Sequence, residues 1–277
     1  MSSGGGGVVR GLVSAPVTGA AVLCLGLLAA CGGGSSDNGD NGGGGSKAPT
    51  ASGSATKSAS AVNGKVIVLD PGHNGGNASH PEEINKQVFV GNGHKPCNTT
   101  GTSTPSGYSE HAFTWDVANR LAKVLRNQGA KVTLTRENDT GVGPCITERA
   151  AIANRARADA ALSIHADGAP ASGHGFHVIV PLPVGKNKGI VDQSRHLGLA
   201  IRDAYRAGTG MPFATYIGKD GLDQRDDLGG LNLSTVPAAF IECGNMGNPG
   251  DAAKMSSAAF RQRMAESLAT GFDDYFQ

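Results

Sequence analysis

Lys65-Val66-Ile67-Val68-Leu69-Asp70-Pro71-Gly72-His73 is an apolar run that stops in a turn and presents a histidine. Valine, isoleucine and leucine flanked by turn formers read as a buried strand, and Pro71-Gly72 cannot continue it. His73 then lies on a loop just past a strand's carboxyl end, the edge of an open α/β sheet at which ligands bind. Two later runs end the same way. Ala160-Ala161-Leu162-Ser163-Ile164 delivers His165, and Val236-Pro237-Ala238-Ala239-Phe240-Ile241 delivers Glu242.

Working outward from these runs, strands and helices alternate. The stretch from Asn74 to Gly107 is polar and without clear period. A helix is predicted from Ser109, because Phe113, Val117, Leu121, Val124 and Leu125 recur at helical spacing and Gly129 supplies a stop. Ser109 would cap it, with Glu110 in its first turn. Lys131–Thr135 and Phe176–Val180 read as further strands. Glu148–Ala158, Ser194–Arg206 and a terminal segment with Phe260, Met264, Leu268 and Phe272 read as helices. Such alternation predicts one α/β domain around a mostly parallel sheet, with no internal repeat and no second domain.

The 277 residues, 39% of them hydrophobic, could bury one sizeable core. A formal net charge of +1, no basic run and no phosphate-cradling glycine loop predict no nucleic-acid partner. Arg10 precedes an apolar segment, Gly11 to Leu28, that is short for a membrane span and rich in small residues. It ends in Leu28-Ala29-Ala30-Cys31, which resembles the bacterial lipobox, whose cysteine takes a diacylglyceryl thioether. Residues 1–31 are therefore expected to be a signal peptide ending in a lipidated Cys31, the plain alternative being a secretory signal cut near the same alanines. Both readings put the mature protein outside the cytoplasm, and the first anchors it to the membrane through its lipid alone. Residues 32–62 are glycine, serine, asparagine, alanine and threonine, a flexible tether with a reach of roughly 30 Å. The catalytic domain is expected over 63–277.

Two histidines and a carboxylate are a zinc ligand set used in hydrolytic sites, with a fourth position left for water. Zinc lowers the pKa of such water from about 15.7 to roughly 7 and polarises a carbonyl. Glu242 suits the remaining role of general base and then general acid. Spacing alone leaves duller readings open. A lone histidine is ordinarily a surface or hydrogen-bonded residue, Glu110 could simply favour the helix dipole, and His80, His94, His111, His174, His177 and His196 are rival ligands. Glu242 is harder to dismiss, since a carboxylate closing so apolar a run is costly to bury without a partner.

Val68-Leu69-Asp70-Pro71-Gly72-His73, Ser109-Glu110, Ser163-Ile164-His165-Ala166-Asp167 and Ile241-Glu242-Cys243-Gly244-Asn245, in this order, together with Glu148-Arg149-Ala150-Ala151-Ile152-Ala153-Asn154, resemble the zinc-dependent N-acetylmuramoyl-L-alanine amidases of the third amidase family. The resemblance runs from Lys65 to the C-terminus and is nearest to the compact mycobacterial and actinobacterial members. It implies a twisted sheet of about six strands with helices on both faces. It also implies one zinc ion held by His73, Glu110 and His165, with Glu242 as the catalytic carboxylate. The implied substrate is peptidoglycan or its muropeptides, cut at the amide between the lactyl group of N-acetylmuramic acid and L-alanine. Asp167 stands where the family often has asparagine, the segment between His73 and Glu110 is longer than in many members, and the long extra helix with which some relatives plug the site is absent from the sequence. A zinc peptidase or deacylase on the same scaffold, or an inactive peptidoglycan-binding lipoprotein, are the rival functions, and a monomer is the default.

Cys97 and Cys145 both lie in loop-like sequence, and an oxidising location would let them pair. That disulfide would restrain the long loop beside the zinc site. A metal site of Cys97, Cys145 and His94 is the alternative. Cys243 reads as a small buried thiol.

Overall fold

Strand alternation sets the architecture. The computed structural model describes residues 59–277, so Cys31, the expected signal segment and most of the expected tether lie outside the described residues. The elements are β1 (Val66–Pro71), α1 (Pro81–Ile84), β2 (Gln87–Phe89), β3 (His94–Pro96), α2 (Glu110–Asn127), β4 (Lys131–Leu134), α3 (Ile146–Arg155), β5 (Ala160–Asp167), β6 (His177–Pro181), α4 (Val191–Thr209), β7 (Leu222–Arg225), α5 (Gly229–Asn232), β8 (Ala238–Asn245), α6 (Pro249–Ser256) and α7 (Ala258–Phe276). Six strands form one sheet in the order β4-β1-β5-β8-β6-β7, parallel throughout except where β6 meets β8. The chain is thus an α/β domain on a mostly parallel sheet. The polar stretch after β1 holds what periodicity did not reveal: α1 and a separate antiparallel hairpin of β2 and β3.

Successive strand residues point to opposite faces. On one face, Ile67 and Leu69 of β1, Leu162 and Ile164 of β5, Val178 and Val180 of β6, and Ala239 and Ile241 of β8 join one large core. The long helices α2, α4 and α7 close that face through Phe113, Leu121, Leu197, Ile201, Leu268 and Phe272, all fully buried. Among the described residues the helices on the other face are the short α3 and α5, whose Ala153 and Leu231 sit in two small apolar clusters with Val68, Ile179 and Ala238. Helices therefore lie on both faces, but unequally. The same alternation puts Asp70, Ser163, His165, Asp167, Phe240 and Glu242 on the lightly covered face.

The helix after the polar stretch begins at Glu110 as expected. Ser109 has the extended backbone of a cap, but its side chain makes no capping bond. The packed body also starts a little before residue 63. Val62 is fully buried and the Ala61 N–H donates to Asp273 of α7 at 2.7 Å, so the last residues assigned to the tether belong to the domain.

Candidate active site

The turn after β1 is shaped by close approach. A Cβ on Gly72 would fall 2.2 Å from the His165 ring, so only glycine lets the chain pass there. His73 follows with φ +59°, a left-handed conformation that a non-glycine residue holds only when its surroundings impose it. Two buried arginines impose it. Arg149 of α3 donates to the carbonyls of Pro71 (2.7 Å) and His73 (2.8 Å) and to Asp70 Oδ1 (2.8 Å). Arg136 donates to the Pro71 carbonyl at 3.0 Å from beyond β4.

Three elements then converge. The first turn of α2 supplies Glu110, which is buried. Its Oε1 lies 2.9 Å from His165 Nδ1 and accepts from the Ala166 N–H at 3.1 Å. Its Oε2 lies 3.1 Å from His73 Nε2 and accepts from the Thr102 N–H at 2.9 Å. His73 Nδ1 faces the Thr99 carbonyl at 3.1 Å, which leaves Nε2 turned toward Glu110. Gly101, at φ +75°, lies so near that a Cβ there would be 2.8 Å from both Glu110 Oε2 and the His73 ring. The loop carrying Thr99, Gly101 and Thr102 begins at Cys97, which is disulfide-bonded to Cys145 with Cα atoms 4.6 Å apart. Those thiols are thereby consumed, and the alternative metal site with His94 does not form.

Burial works against a charge on Glu110, but the hydrogen bonds and charges of His165 and His73 outweigh it and hold the carboxyl far below its usual range. Burial pushes the His165 imidazole down, against the pull of Glu110, toward the neutral form that binds metal. One donor atom from each of His73, Glu110 and His165 lies within 4.8 Å of the others. Zinc ligands at about 2.0–2.1 Å in a tetrahedron have donors about 3.3 Å apart, so the set fits a divalent ion with small side-chain movement. The donor chemistry, two imidazoles and one carboxylate, fits zinc as well.

Glu242 is the register partner of His165 on the neighbouring strand, and the His165 ring stacks on Phe240 at 4.2 Å. Burial, helped by the negative charges of Glu110 and Asp167 and opposed by Arg225, holds its proton well above the usual carboxylate range. Its Oε2 is enclosed and has no hydrogen-bond partner among the described residues. The group opens onto a cleft of about 480 Å³ that is also lined by the Lys95–Asp227 ion pair and by the small side chains of Ala153, Ala161 and Ala238.

The structure brings His73, Glu110, His165 and Glu242 to one place. Of the rival ligands, His111 faces away and pairs with Asp139 at 2.8 Å, as the rotation between neighbouring helix positions requires. His80 bonds the Gly76 carbonyl, and His177 lies on the site's own face beside Glu242. Cys243 is buried and unpaired. Sequence reasoning did not anticipate Thr99, Thr102, Asp70 and Arg149 as supports of His73 and Glu110; the threonines sit in a loop with no period, while the Asp70 and Arg149 charges beside buried runs were available signals.

A sequence profile of the N-acetylmuramoyl-L-alanine amidases matches residues 67–274. N-acetylmuramoyl-L-alanine amidase Rv3717 of Mycobacterium tuberculosis is 46% identical over 219 residues, 79% of this chain and 89% of its own length. Crystal structures of the N-acetylmuramyl-L-alanine amidase Ami1 from Mycobacterium smegmatis and from Mycobacterium abscessus share the fold with a TM-score of 0.73 each. They are 42% and 43% identical, over 78% of this chain and 98% and 100% of theirs. A match over most of the chain, at this identity and with this fold, establishes that the chain belongs to the N-acetylmuramoyl-L-alanine amidase family, hydrolases of amide bonds.

Proposed function

We propose that the chain is a zinc amidase of the cell wall that cuts the amide between N-acetylmuramic acid and L-alanine in peptidoglycan or its fragments, with Glu242 as the acid–base group. The observation that carries this reading is the buried Glu110 carboxylate between two histidine nitrogens, with Glu242 one strand away. His73, Glu110 and His165 would hold the ion. When bound, zinc polarises the scissile carbonyl and makes water easier to deprotonate. The chain's own residues do the rest. Thr99 fixes the tautomer and ring orientation of His73, and the N–H groups of Thr102 and Ala166 orient both oxygens of Glu110, the outer support that ligands need. Glu242 takes the proton of the attacking water and returns it to the leaving nitrogen of L-alanine. Its place one strand from His165, on the wall of the cleft, suits both transfers. Residues of α3 and α5 line the cleft into which the scissile amide would have to enter.

We further propose export, with lipidation at Cys31 and a tether that lets the domain work at a distance from the membrane. The expected test of the activity is mass spectrometry of products from purified muropeptides treated with the zinc-loaded protein and with a chelator-treated control. Stem peptides beginning at L-alanine, absent from the control, are the expected result. Cleavage at another bond would overturn the substrate assignment, and cleavage surviving the chelator would overturn the metal assignment.

A further inference from the structure

The row of the sheet that carries His165 and Glu242 extends one strand further, onto β6. His165 of β5 pairs with Glu242 of β8, and Glu242 pairs in turn with His177 of β6. Residues opposite one another on adjacent strands point to the same side with Cβ atoms about 5 Å apart. His177 therefore flanks the Glu242 carboxylate on the side away from His165.

His177 is 1% exposed, and its Nδ1 is enclosed without a hydrogen bond to any described residue. The Tyr216 hydroxyl is enclosed too and has no hydrogen bond of ordinary geometry, its nearest charged neighbour being Asp167, and its ring meets the His177 ring edge-on at 6.2 Å. Glu242 Oε2 is the third such atom. A histidine kept only for packing ordinarily has its ring nitrogen satisfied by the fold, as His111 has by Asp139 and His80 by the Gly76 carbonyl. Here three enclosed polar atoms instead belong to residues grouped beside the acid–base carboxylate. Their chemistry, a carboxylate acceptor, a phenol and an imidazole, matches what one buried water needs, which is two to four polar partners. Burial pushes the His177 imidazole toward its neutral form, with Asp167 and Asp223 opposing and Arg225 adding to that effect, so the ring has one N–H to give.

We propose that His177 is a positioning residue for Glu242: its Nδ1–H holds the Glu242 carboxylate through one water shared with the Tyr216 hydroxyl. This rests on the acid–base role proposed for Glu242. The arrangement fixes the carboxylate rotamer through Oε2 and leaves Oε1 to carry the proton.

The test compares His177→Leu and His177→Asn in the zinc-loaded protein, with a soluble muropeptide as substrate. Asparagine places its Nδ2–H where the imidazole Nδ1–H stood, and leucine removes the donor at similar bulk. His177→Leu is expected to lower kcat about 10- to 100-fold, the usual scale for loss of an outer support, with KM within about twofold and zinc content and Tm unchanged. His177→Asn is expected to recover most of that loss. Added to Glu242→Gln, His177→Leu is expected to cause no further loss, because the two residues act as one unit. Unchanged kcat in His177→Leu, equal losses in both variants, or additivity with Glu242→Gln would overturn the proposal. An inactive wild-type protein would instead overturn the amidase reading on which it stands.

Discussion

The two faces of the sheet are made from the same strands and differ in almost everything else. Ile241 and Glu242 are neighbours on β8. Ile241 points into the core under α2, α4 and α7, while Glu242 points into the cleft under α3 and α5. The first face is closed by three helices of 18 or 19 residues and is apolar throughout. The second is covered by helices of ten and four residues and gathers Asp70, His165, Asp167, Glu242 and His177. A sheet whose one face supplies most of the stability can leave the other open and lined with costly buried polar groups. In this fold stability and chemistry are separated by one peptide unit.

That separation can be broken residue by residue. The largest effect is expected on the open face. His73→Ala should lose both zinc, measured by elemental analysis, and hydrolysis, whereas Glu242→Ala should keep zinc and lose about 10²- to 10⁴-fold in kcat, the range of a general acid–base group. Stripped of zinc, both variants should melt close to the wild-type apoprotein. The opposite pattern is expected one residue away. Ile241→Ala, which empties a fully buried site, should cost about 2–5 kcal/mol and lower Tm by roughly 10 °C while zinc is still bound. If Ile241→Ala abolished zinc binding before it lowered Tm, the faces would not be independent.

The disulfide belongs to the open face, where Pro96, Asn98 and Ile146 beside its cysteines line the cleft. Cys97→Ser with Cys145→Ser should cost about 2–4 kcal/mol and should also weaken zinc binding, because the loop that carries Thr99 and Thr102 starts at Cys97. Calorimetry with and without zinc separates the two effects. The smallest effect is expected at Asp70. Burial opposes its charge, but Arg149, Ser163 and Thr135 outweigh it and hold the carboxyl at about 2. Because that value lies below the ordinary 3.8, the stabilisation, about 2 kcal/mol, is present above pH 4 and disappears as the pH falls through 2. In Asp70→Asn the acid side of the stability curve should flatten over that window.

How far the sequence revealed this follows from the same contrast. β1, β5 and β8 are legible because their runs are apolar on both sides of the chain, as strands in the middle of a sheet are. Leu222-Asp223-Gln224-Arg225 is not, since an edge strand with one apolar residue has no run to detect. The four-residue α5 and the three-residue strands β2 and β3 are too short for any period to show. His73, Glu110, His165 and Glu242 stand out in the sequence because each is a polar residue at the start or end of an apolar run or a helix, while the roles assigned to them come from the family resemblance. The expectation that they would gather past the strand ends was only partly right. β5 continues to Asp167 and β8 to Asn245, so His165 and Glu242 project from a face of the sheet, and His177 shares their row only through strand pairing that no sequence separation discloses.

The most direct test of the central claim, that the open face holds one metal ion and one separate acid–base group, is zinc stoichiometry and product mass spectrometry on the same Glu242→Ala protein. The expected result is one zinc ion per chain and a rate of stem-peptide release at least about 100-fold below that of the wild type. Full release of stem peptide by that variant, or loss of its zinc, would contradict the account.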